Sequence, residues 1–382
     1  MSFEQPINRR TFLQNSFFGL SAFCSPTLSA TEQILNKTTK TPPLLSAAKD
    51  NKGNYRICIF SPWQSQLFSL ALPHRAHSIT PHPNQPIAVC VDRRPGRQLY
   101  IFDYQKHQLL QQLTALPNHH FYGHGVFSHD GEYFFTTEQH WPTSRGQIGV
   151  YQTHNFKRVD TLSSGGIGPH EIRLHPQRNQ LIIANGGIQT HPDYDRRKLN
   201  IDTMEPNLSL IDLAKGDVQQ QWTFNPKQLS IRHLDVGEDG LIIVGLQYQG
   251  DQSDIVPLVL YQQGNSELQP MHTDEIGWLQ LNQYIASVCV MTRCNTAAIT
   301  APRANKVTFW DLKTKQLRKT ISLIDAAGAI ALNDQLCAIT TGTGEVHIFD
   351  CKTDIKKVHT TKYNNIAWDN HLNIANAVHE SV

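Results

Sequence analysis

Short apolar segments separated by turn-forming residues run through the chain from about residue 55 onwards, with almost no helical periodicity. The clearest example is the stretch GGIGPHEIRLHPQRNQLIIANGG at residues 165–187. Ile172 and Leu174 alternate with charged neighbours as in a half-buried strand, a polar turn follows, and LIIA at residues 181–184 is a short apolar strand. The pattern therefore predicts an all-β fold built from strand–turn–strand units.

The same unit recurs along the chain with a period of roughly 40 residues. Each copy contains two apolar strands joined by a turn, a loop, a third strand that ends in aspartate or an equivalent, and a final strand. A four-stranded unit repeated at this period is typical of a β-propeller, because each sheet has two apolar faces that it can bury only against its neighbours. Copies begin at or near His77, His124, His170, His233, Ala286 and Ala327.

The segments outside these six copies predict a seventh blade made from both ends of the fold. Residues 56–72 predict two outer strands, and residues 365–375 predict two inner strands. Joining the two ends in one sheet closes the ring. We therefore predict a seven-bladed, YVTN/WD40-like β-propeller over residues 55–382, preceded by a linker over residues 31–54. A β-sandwich or two smaller barrels is the alternative, which the repeat period disfavours.

The first 30 residues have the order of regions of an export signal. The sequence NRRTFL at residues 8–13 resembles the twin-arginine motif, a modestly apolar run follows at residues 17–23, and Ser29-Ala30 offers a cleavage site. The apolar run is too short to span a bilayer as a helix. We therefore predict a twin-arginine signal peptide over residues 1–30 and a periplasmic mature protein that does not span the membrane.

The mature part of the chain is close to electrical neutrality. The whole chain has 34 Lys+Arg against 32 Asp+Glu, and residues 1–30 hold two Arg and one Glu, which leaves 32 minus 31, or +1. This balance argues against a nucleic-acid partner and against a polybasic membrane patch. The sequence has no nucleophile elbow, phosphate-binding glycine loop or H-E-x-x-H motif, so motifs alone assign no reaction.

Four histidines occupy the same place in the repeat, at the start of the innermost strand. In a propeller that strand lines the central channel, so four imidazoles on consecutive blades are expected to rim one channel mouth. Imidazole suits zinc, copper, iron and nickel as a ligand. A structural role, in which each histidine hydrogen-bonds a neighbouring blade, is the alternative. The predicted metal ligands are His77, His124, His170 and His233.

Long loops between second and third strands return to the same face and are expected to cover this mouth. The longest spans residues 185–207, and loops of this length in compact folds are often lids or binding loops. Several arginines with a few histidines suit an anionic, oxygen-rich ligand or a metal chelate. The predicted ligand-binding residues are Arg93, Arg94, Glu138, Glu171, Asn185, His191, Arg232 and Arg303.

Several motifs together resemble one family over nearly all of the chain after about residue 55. They are RRPG at 93–96, GHGVFS at 123–128, GPHE at 168–171, ANGGIQTHP at 184–192, SIRHL at 230–234 and AWDNH at 367–371. The chain resembles an uncharacterised, twin-arginine-exported β-propeller family of Gram-negative bacteria, a domain of unknown function. Members are often found beside imelysin-like iron-uptake proteins, so the resemblance implies a role near iron and periplasmic iron-uptake proteins as partners, but no reaction.

Three functions are consistent with these patterns. The first is a periplasmic propeller that binds a metal ion (iron, copper or zinc) or a metal chelate at the histidine-rimmed mouth, accessory to metal acquisition, with iron favoured. The second is a propeller hydrolase or oxidoreductase that uses the same histidines as ligands or general bases. The third is a scaffold that docks a protein partner in the envelope. An open coordination position would favour the enzyme, and the sequence leaves this question open.

Overall fold

A computed structural model describes residues 41–194 and 197–375, so the predicted signal peptide lies outside the described residues. The described chain begins with three strands, β1 (Leu44–Asp50), β2 (Tyr55–Phe60) and β3 (Leu67–Leu72). β1 falls inside the segment 31–54 that the sequence predicted as a linker. That prediction is wrong for residues 44–50, because this strand pairs on both sides, with β2 and with the C-terminal segment.

Six four-stranded antiparallel sheets follow in chain order, and each is one blade of the ring. Blade 1 contains β4 (Ala76–Pro81), β5 (Ile87–Asp92), β6 (Gln98–Asp103) and β7 (Gln108–Thr114). Blade 2 contains β8 (His119–Phe127), β9 (Tyr133–His140), β10 (Arg145–Gln152) and β11 (Lys157–Ser163). Blade 3 contains β12 (Pro169–Leu174), β13 (Gln180–Asn185), β14 (Asn207–Asp212) and β15 (Asp217–Trp222).

The second half of the ring repeats the same order of strands. Blade 4 contains β16 (Leu229–Val236), β17 (Ile242–Tyr248), β18 (Val259–Gln262) and β19 (Gln269–Pro270), followed by a short helix α1 (Glu275–Leu279). Blade 5 contains β20 (Ser287–Met291), β21 (Thr296–Ala301), β22 (Lys306–Asp311) and β23 (Leu317–Ser322). Blade 6 contains β24 (Ala326–Ala331), β25 (Leu336–Thr341), β26 (Glu345–Asp350) and β27 (Lys356–Lys362).

The connections contain four single turns of 3-10 helix. Two lie in the long loop of blade 3, at Pro192–Tyr194 and Ile201–Thr203. The other two lie in blade 5, at Thr292–Cys294 and Pro302–Ala304. Within the described ranges, no helix combines the length and the apolar character needed to cross a membrane.

The seventh, closing blade joins the two ends of the fold. β28 (Ile366–Trp368) and β29 (Asn373–Ile374) both pair with β1, which pairs with β2, which pairs with β3. The predicted seven-bladed propeller, closed by N- and C-terminal strands in one sheet, is confirmed. The C-terminal segment nevertheless forms one interrupted inner strand and not the two predicted strands, because both of its halves pair with the same partner.

Apolar side chains pack between adjacent blades, so the core is distributed around the ring. One cluster joins Val89 and Ile101 of blade 1 to Phe127 and Phe134 of blade 2, and the other clusters join the remaining neighbours in the same way. Full burial of one such side chain stabilises the fold by about 1.5–3 kcal/mol. The outermost strands are largely exposed, as in β7. Groups on the innermost strands are therefore the ones best shielded from water.

The aspartates at the ends of third strands fix the turns that follow them. In Asp103 and Asp311, one carboxylate oxygen accepts hydrogen bonds from the backbone N–H groups two and three residues later, at 2.8–2.9 Å. This is the local bonding pattern that favours aspartate at turns. It explains why the repeat carries an aspartate at this position.

Candidate metal and anion site

Irregular pairing interrupts four inner strands at or next to a histidine. His77, His124 and His170 are left out of the regular ladder. In the fourth strand Arg232 is left out, and His233 beside it pairs with Gly245. An extra residue in a β-strand leaves one residue unpaired and re-aims side chains, which is why bulges recur near functional sites. The register shifts lie between Ala76 and Ile79, Phe121 and Gly125, Pro169 and Glu171, and Ile231 and His233. The interruption between β28 and β29 is the equivalent position in the closing blade, and it contains His371. Five consecutive blades thus each contribute one histidine to the channel.

The five imidazole rings meet in one group, which we call the histidine cluster. The ring centre of His124 lies 4.9 Å from that of His77, 4.8 Å from His170 and 4.4 Å from His371. His233 lies 4.7 Å from His170. Every member is at most 6% exposed. The structure therefore brings the four predicted histidines together, adds a fifth, and places His124 in the middle of the group.

The sequence reasoning did not select His371. Its signal was present, since HLNI at residues 371–374 repeats the His-apolar-polar-apolar order of HLDV at residues 233–236. Assigning two separate inner strands to residues 365–375 hid this match, because the histidine then fell in a turn. Treating the segment as one bulged inner strand, like those of the other blades, would have found it.

Two buried carboxylates orient two of the rings. The Nδ1–H of His77 donates to Asp369 Oδ1 at 2.9 Å, and the Nδ1–H of His233 donates to Glu171 Oε2 at 3.1 Å. A neutral imidazole carries one proton, so Nε2 of each ring keeps its lone pair. Carboxylate–histidine pairs of this kind orient metal ligands and raise their basicity. Glu171, predicted to contact a ligand, therefore serves to orient His233.

Arginines keep both carboxylates ionised. Arg75 lies 2.7 Å from Asp369, and Arg173 lies 2.7 Å from Glu171. Burial alone would raise the pKa of each carboxyl group. The hydrogen bonds from the histidines and the charges of the arginines outweigh burial and hold both pKa values below their usual range. The two acceptors are thus negatively charged at neutral pH.

The histidine cluster itself is neutral at physiological pH. Burial lowers the pKa of His77 to about 4, although the hydrogen bond to Asp369 opposes the shift. Burial is also the main cause of a lowered pKa in the other members, His124, His170, His233 and His371. Neutral imidazole is the form that binds metal, so no proton has to leave these rings before an ion enters.

Three ring nitrogens of the histidine cluster lack a hydrogen-bond partner within the described part of the chain. They are both nitrogens of His124 and Nδ1 of His170. A buried polar atom left without a partner destabilises a fold by about 1–3 kcal/mol. His120, which lies outside the cluster, also lacks partners at both ring nitrogens within the described residues. The feature that distinguishes His124 and His170 is therefore the group of other imidazoles around them.

The cluster has the spacing of a metal site. Three sets of side chains have ligand atoms within 4.8 Å of one another: His77, His124 and His371; His124, His170 and His233; and Glu171, His233 and His371. Nε2 of His77 lies 3.2 Å from Nε2 of His371. Tetrahedral zinc with Zn–N bonds of about 2.0–2.1 Å separates its ligand nitrogens by about 3.3 Å. Three imidazoles here can hold a divalent transition ion and leave a fourth position open.

A cavity of about 90 Å³ adjoins the histidine cluster, with three of its rings in the wall. All four predicted arginines line it, together with a lysine, and no carboxylate of the described residues does. The cationic residues are Arg93, Arg94, Lys198, Arg232 and Arg303. Neutral polar groups complete the wall, among them Tyr122, Gln247, Tyr284 and Asn370. The wall thus carries donors and positive charge beside the candidate metal ligands.

The loop between β13 and β14 covers one side of this cavity, as the sequence predicted, through Ile188 and Lys198. The hydroxyl of Tyr122 donates to the carbonyl of Ile188 at 3.0 Å. The side-chain amide of Asn200 donates to the carbonyl of Gly187 at 2.8 Å, and this hydrogen bond connects two parts of the loop. The covering segment is therefore anchored to blade 2 through its backbone.

Comparison with known proteins identifies the family of this chain and a solved structure of similar fold. A family model described as a protein of unknown function, DUF1513, matches residues 70–375 of this chain. The chain belongs to the DUF1513 family. Among solved structures, the DUF1513 chain is similar to Kuenenia stuttgartiensis hydrazine synthase, with a TM-score of 0.59, 11% sequence identity, and coverage of 80% of this chain and 89% of that one. At this identity the likeness shows the fold alone. No curated protein matches the sequence.

Glu138 of the DUF1513 chain, predicted to bind a ligand, does not line the cavity. It lies within the regular pairing of β9 and is fully buried. Its Oε1 lies 2.6 Å from Nη1 of Arg158 on the outer strand β11 and also accepts a hydrogen bond from Thr136. The carboxylate therefore points outwards within its own blade and stabilises the sheet.

Two further predicted residues of the DUF1513 chain, Asn185 and His191, also lie outside the cavity wall. The buried side-chain amide of Asn185 donates to the carbonyl of Ser164 at 2.8 Å and to Asn207 at 2.9 Å. It thus joins blade 2 to blade 3 at the base of the long loop. The ring of His191 packs 5.6 Å from that of Trp141. Both contacts are structural, because strand alternation and loop folding direct these side chains away from the channel.

Proposed function

We propose that this protein binds one transition-metal ion through the histidine cluster. The observation that carries the proposal is His124, which is 1% exposed, has no hydrogen-bond partner at either ring nitrogen within the described residues, and is surrounded by four other imidazoles. Most buried histidines satisfy their nitrogens with neighbouring groups, and His120, which does not, has no cluster of imidazoles around it. A ligand histidine would instead keep a lone pair directed at the ion.

Two of the three ligand sets share His124, so one ion at a time is the simplest occupancy. An all-imidazole set suits zinc, copper and iron, and affinity among divalent ions is expected to peak at copper. Metal supply in the cell, and not affinity alone, decides which ion occupies a site. We favour iron because the resemblance is to propellers found beside imelysin-like iron-uptake proteins. A chelate of the ion with a small anionic molecule would also fit, because cationic side chains line the adjoining cavity.

In this proposal the protein is an accessory of periplasmic metal acquisition, and periplasmic iron-uptake proteins are its partners. Support comes from the export-like order of residues 1–30 and from the resemblance to propellers found beside imelysin-like proteins. Cell fractionation tests the location. We expect the protein in the periplasm, and retention in the cytoplasm when Arg9 and Arg10 are both replaced by lysine. Equal export of both forms would contradict the twin-arginine route.

A metal-dependent hydrolase or oxidoreductase is the second candidate, and one observation favours it. The cavity beside the histidine cluster gives a small substrate access to an ion that three imidazoles hold with a position open. A scaffold that docks a protein partner would need neither the cluster nor the cavity. Binding of metal without turnover of any small substrate would leave the acquisition role as the better account.

Titration of chelator-treated protein with Co²⁺ tests the metal proposal. Cobalt bound by three imidazoles with a low coordination number gives visible absorption that aqueous cobalt lacks, so we expect a saturable signal at one equivalent. Zinc, copper or ferrous ion should displace it in competition. Absence of a saturable signal, or an equal signal after His124→Leu, would contradict the proposal.

A further inference from the structure

We propose that the cavity beside the histidine cluster is a binding site for a small oxyanion, held mainly by Arg232 and Arg94. By oxyanion we mean a molecule with two or more anionic oxygens, either tetrahedral like phosphate or a short dicarboxylate. The inference goes beyond the metal site and does not depend on it, because the residues that carry it are not metal ligands.

Arg232 is a buried cation without a counter-charge among the described residues. The residue is 3% exposed, and its Nε and Nη1 have no hydrogen-bond partner within the described ranges. It forms no ion pair with any described carboxylate, whereas the half-buried Arg173 pairs with Glu171 and Asp235. A buried charge is normally paired, because removing an ion from water is costly. Arg232 thus presents a guanidinium to the cavity in the form that a planar or tetrahedral oxyanion would bind.

A second guanidinium faces the same space. Arg94 lies against the ring of Tyr122, with its Cζ 5.5 Å from the ring centre, and its Nη1 is buried without a partner among the described residues. Arg94 and Arg232 line the same cavity. Two like charges brought together without water repel each other. An anion bound between the two guanidinium groups would attract both of them and offset their mutual repulsion.

The surrounding groups suit an anion. Arg303 is held with its Cζ 4.1 Å above the ring of Tyr284, which directs the guanidinium without neutralising it. The acidic groups nearest the cavity, Asp369 and Glu171, are already paired with arginines and histidines. Among the residues that the structure describes, no carboxylate lines the wall. The field inside the cavity is therefore positive.

The absence of a side chain at Gly186 leaves space for the side chain of Arg232. A Cβ at Gly186 would approach Nη1 of Arg232 to 3.0 Å and its Cδ to 3.2 Å, closer than ordinary contacts. The glycine at the base of the long loop thus allows the arginine to reach the cavity. The cavity of about 90 Å³ has space for several water-sized groups, which matches a small oxyanion and excludes a large polymer.

Thermal unfolding of chelator-treated protein tests the site without any metal. Phosphate and malonate are each added, with sodium chloride at matched ionic strength as the reference. A ligand that binds only the folded state raises the midpoint in proportion to its occupancy. We expect at least one of the two anions to raise the midpoint well beyond chloride. A preference for phosphate would indicate a tetrahedral ligand, and a preference for malonate would indicate a dicarboxylate.

Arg232→Gln is the decisive variant, with Arg178→Gln in an exposed turn as the matched loss of one positive charge. We expect Arg232→Gln to weaken anion binding at least about 30-fold while the protein stays folded, and Arg178→Gln to change nothing. Gly186→Ala, which crowds the guanidinium, should weaken binding as well. No effect of either anion beyond chloride, or equal binding by Arg232→Gln, would overturn the inference. Either result would leave the metal proposal untouched.

Discussion

The metal-free protein is expected to lose several kcal/mol of unfolding free energy as the pH falls from 6.5 towards 4. Each histidine of the cluster has a folded-state pKa below the ordinary value of 6.5, so the unfolded chain binds more protons in this range. The contribution is fully present above pH 6.5 and is lost as the pH approaches the folded-state value. For His77, whose folded pKa is about 4, the loss is about 2–3 kcal/mol.

Chemical denaturation at a series of pH values measures this effect. The chelator-treated wild type is compared with His124→Leu, which removes one titrating group from the cluster, and with His154→Gln, which changes an exposed histidine. We expect a shallower slope between pH 6.5 and 4 for His124→Leu and no change for His154→Gln. A wild-type stability that stays flat over this range would contradict the burial of neutral imidazoles.

Replacing His124 by leucine is expected to separate metal affinity from stability. Both nitrogens of His124 lack partners within the described residues, so the substitution removes two unsatisfied polar atoms and keeps most of the volume. The metal-free variant should therefore be as stable as the wild type, or more stable by about 1 kcal/mol. Its metal affinity should fall more than about 100-fold, since loss of an outer partner alone costs 10–100-fold.

His233→Leu is the matched comparison, because His233 donates a hydrogen bond to the buried Glu171. Removing this donor leaves a buried carboxylate oxygen with one partner fewer, which should destabilise the metal-free protein by about 2 kcal/mol. Denaturation gives the unfolding free energy of each variant, and metal titration gives the metal affinity of each. If His124→Leu instead destabilised the metal-free protein as much as His233→Leu, the cluster would be a structural device.

The propeller could be predicted because the information is local and repeated. Each of the six blades in chain order carries its own alternation of apolar strands, and four of them end the third strand in an aspartate turn, as at Asp103 and Asp311. The closing blade was harder. β1 follows a polar segment and finds its partners at the far end of the chain, and such pairing leaves no signal within a short window.

The channel position of four histidines could also be predicted, because each lies on an inner strand. The predicted place at the start of the strand holds for His77 and His170, whereas His124 and His233 lie further along longer strands. The roles of individual polar residues could not be predicted. Glu138 and Glu171 look equivalent in sequence, yet one pairs with Arg158 in an outer strand and the other orients His233. Glu138 lies in the regular pairing of the second strand β9, whereas Glu171 follows a register shift in the inner strand β12. Such a shift changes the direction of a side chain and has no clear sequence signature here.

The hydrogen-bond partner of His77 could not be predicted from the sequence either. Asp369 is 292 residues away in the chain and reaches the ring only because the closing blade completes the circle. Contacts of this kind follow from the finished ring, so a residue-by-residue reading of motifs does not find them. The motif AWDNH at residues 367–371 contained both Asp369 and His371, and its meaning became clear only once the interrupted strand was seen.

Elemental analysis of the protein purified from the periplasm after its native export tests the central claim most directly. Wild type is measured beside the His124→Leu/His170→Leu double variant, and circular dichroism verifies that both are folded. We predict about one equivalent of iron, copper or zinc in the wild type and almost none in the variant. A folded wild type without metal, or equal metal in both proteins, would contradict a metal site at the histidine cluster.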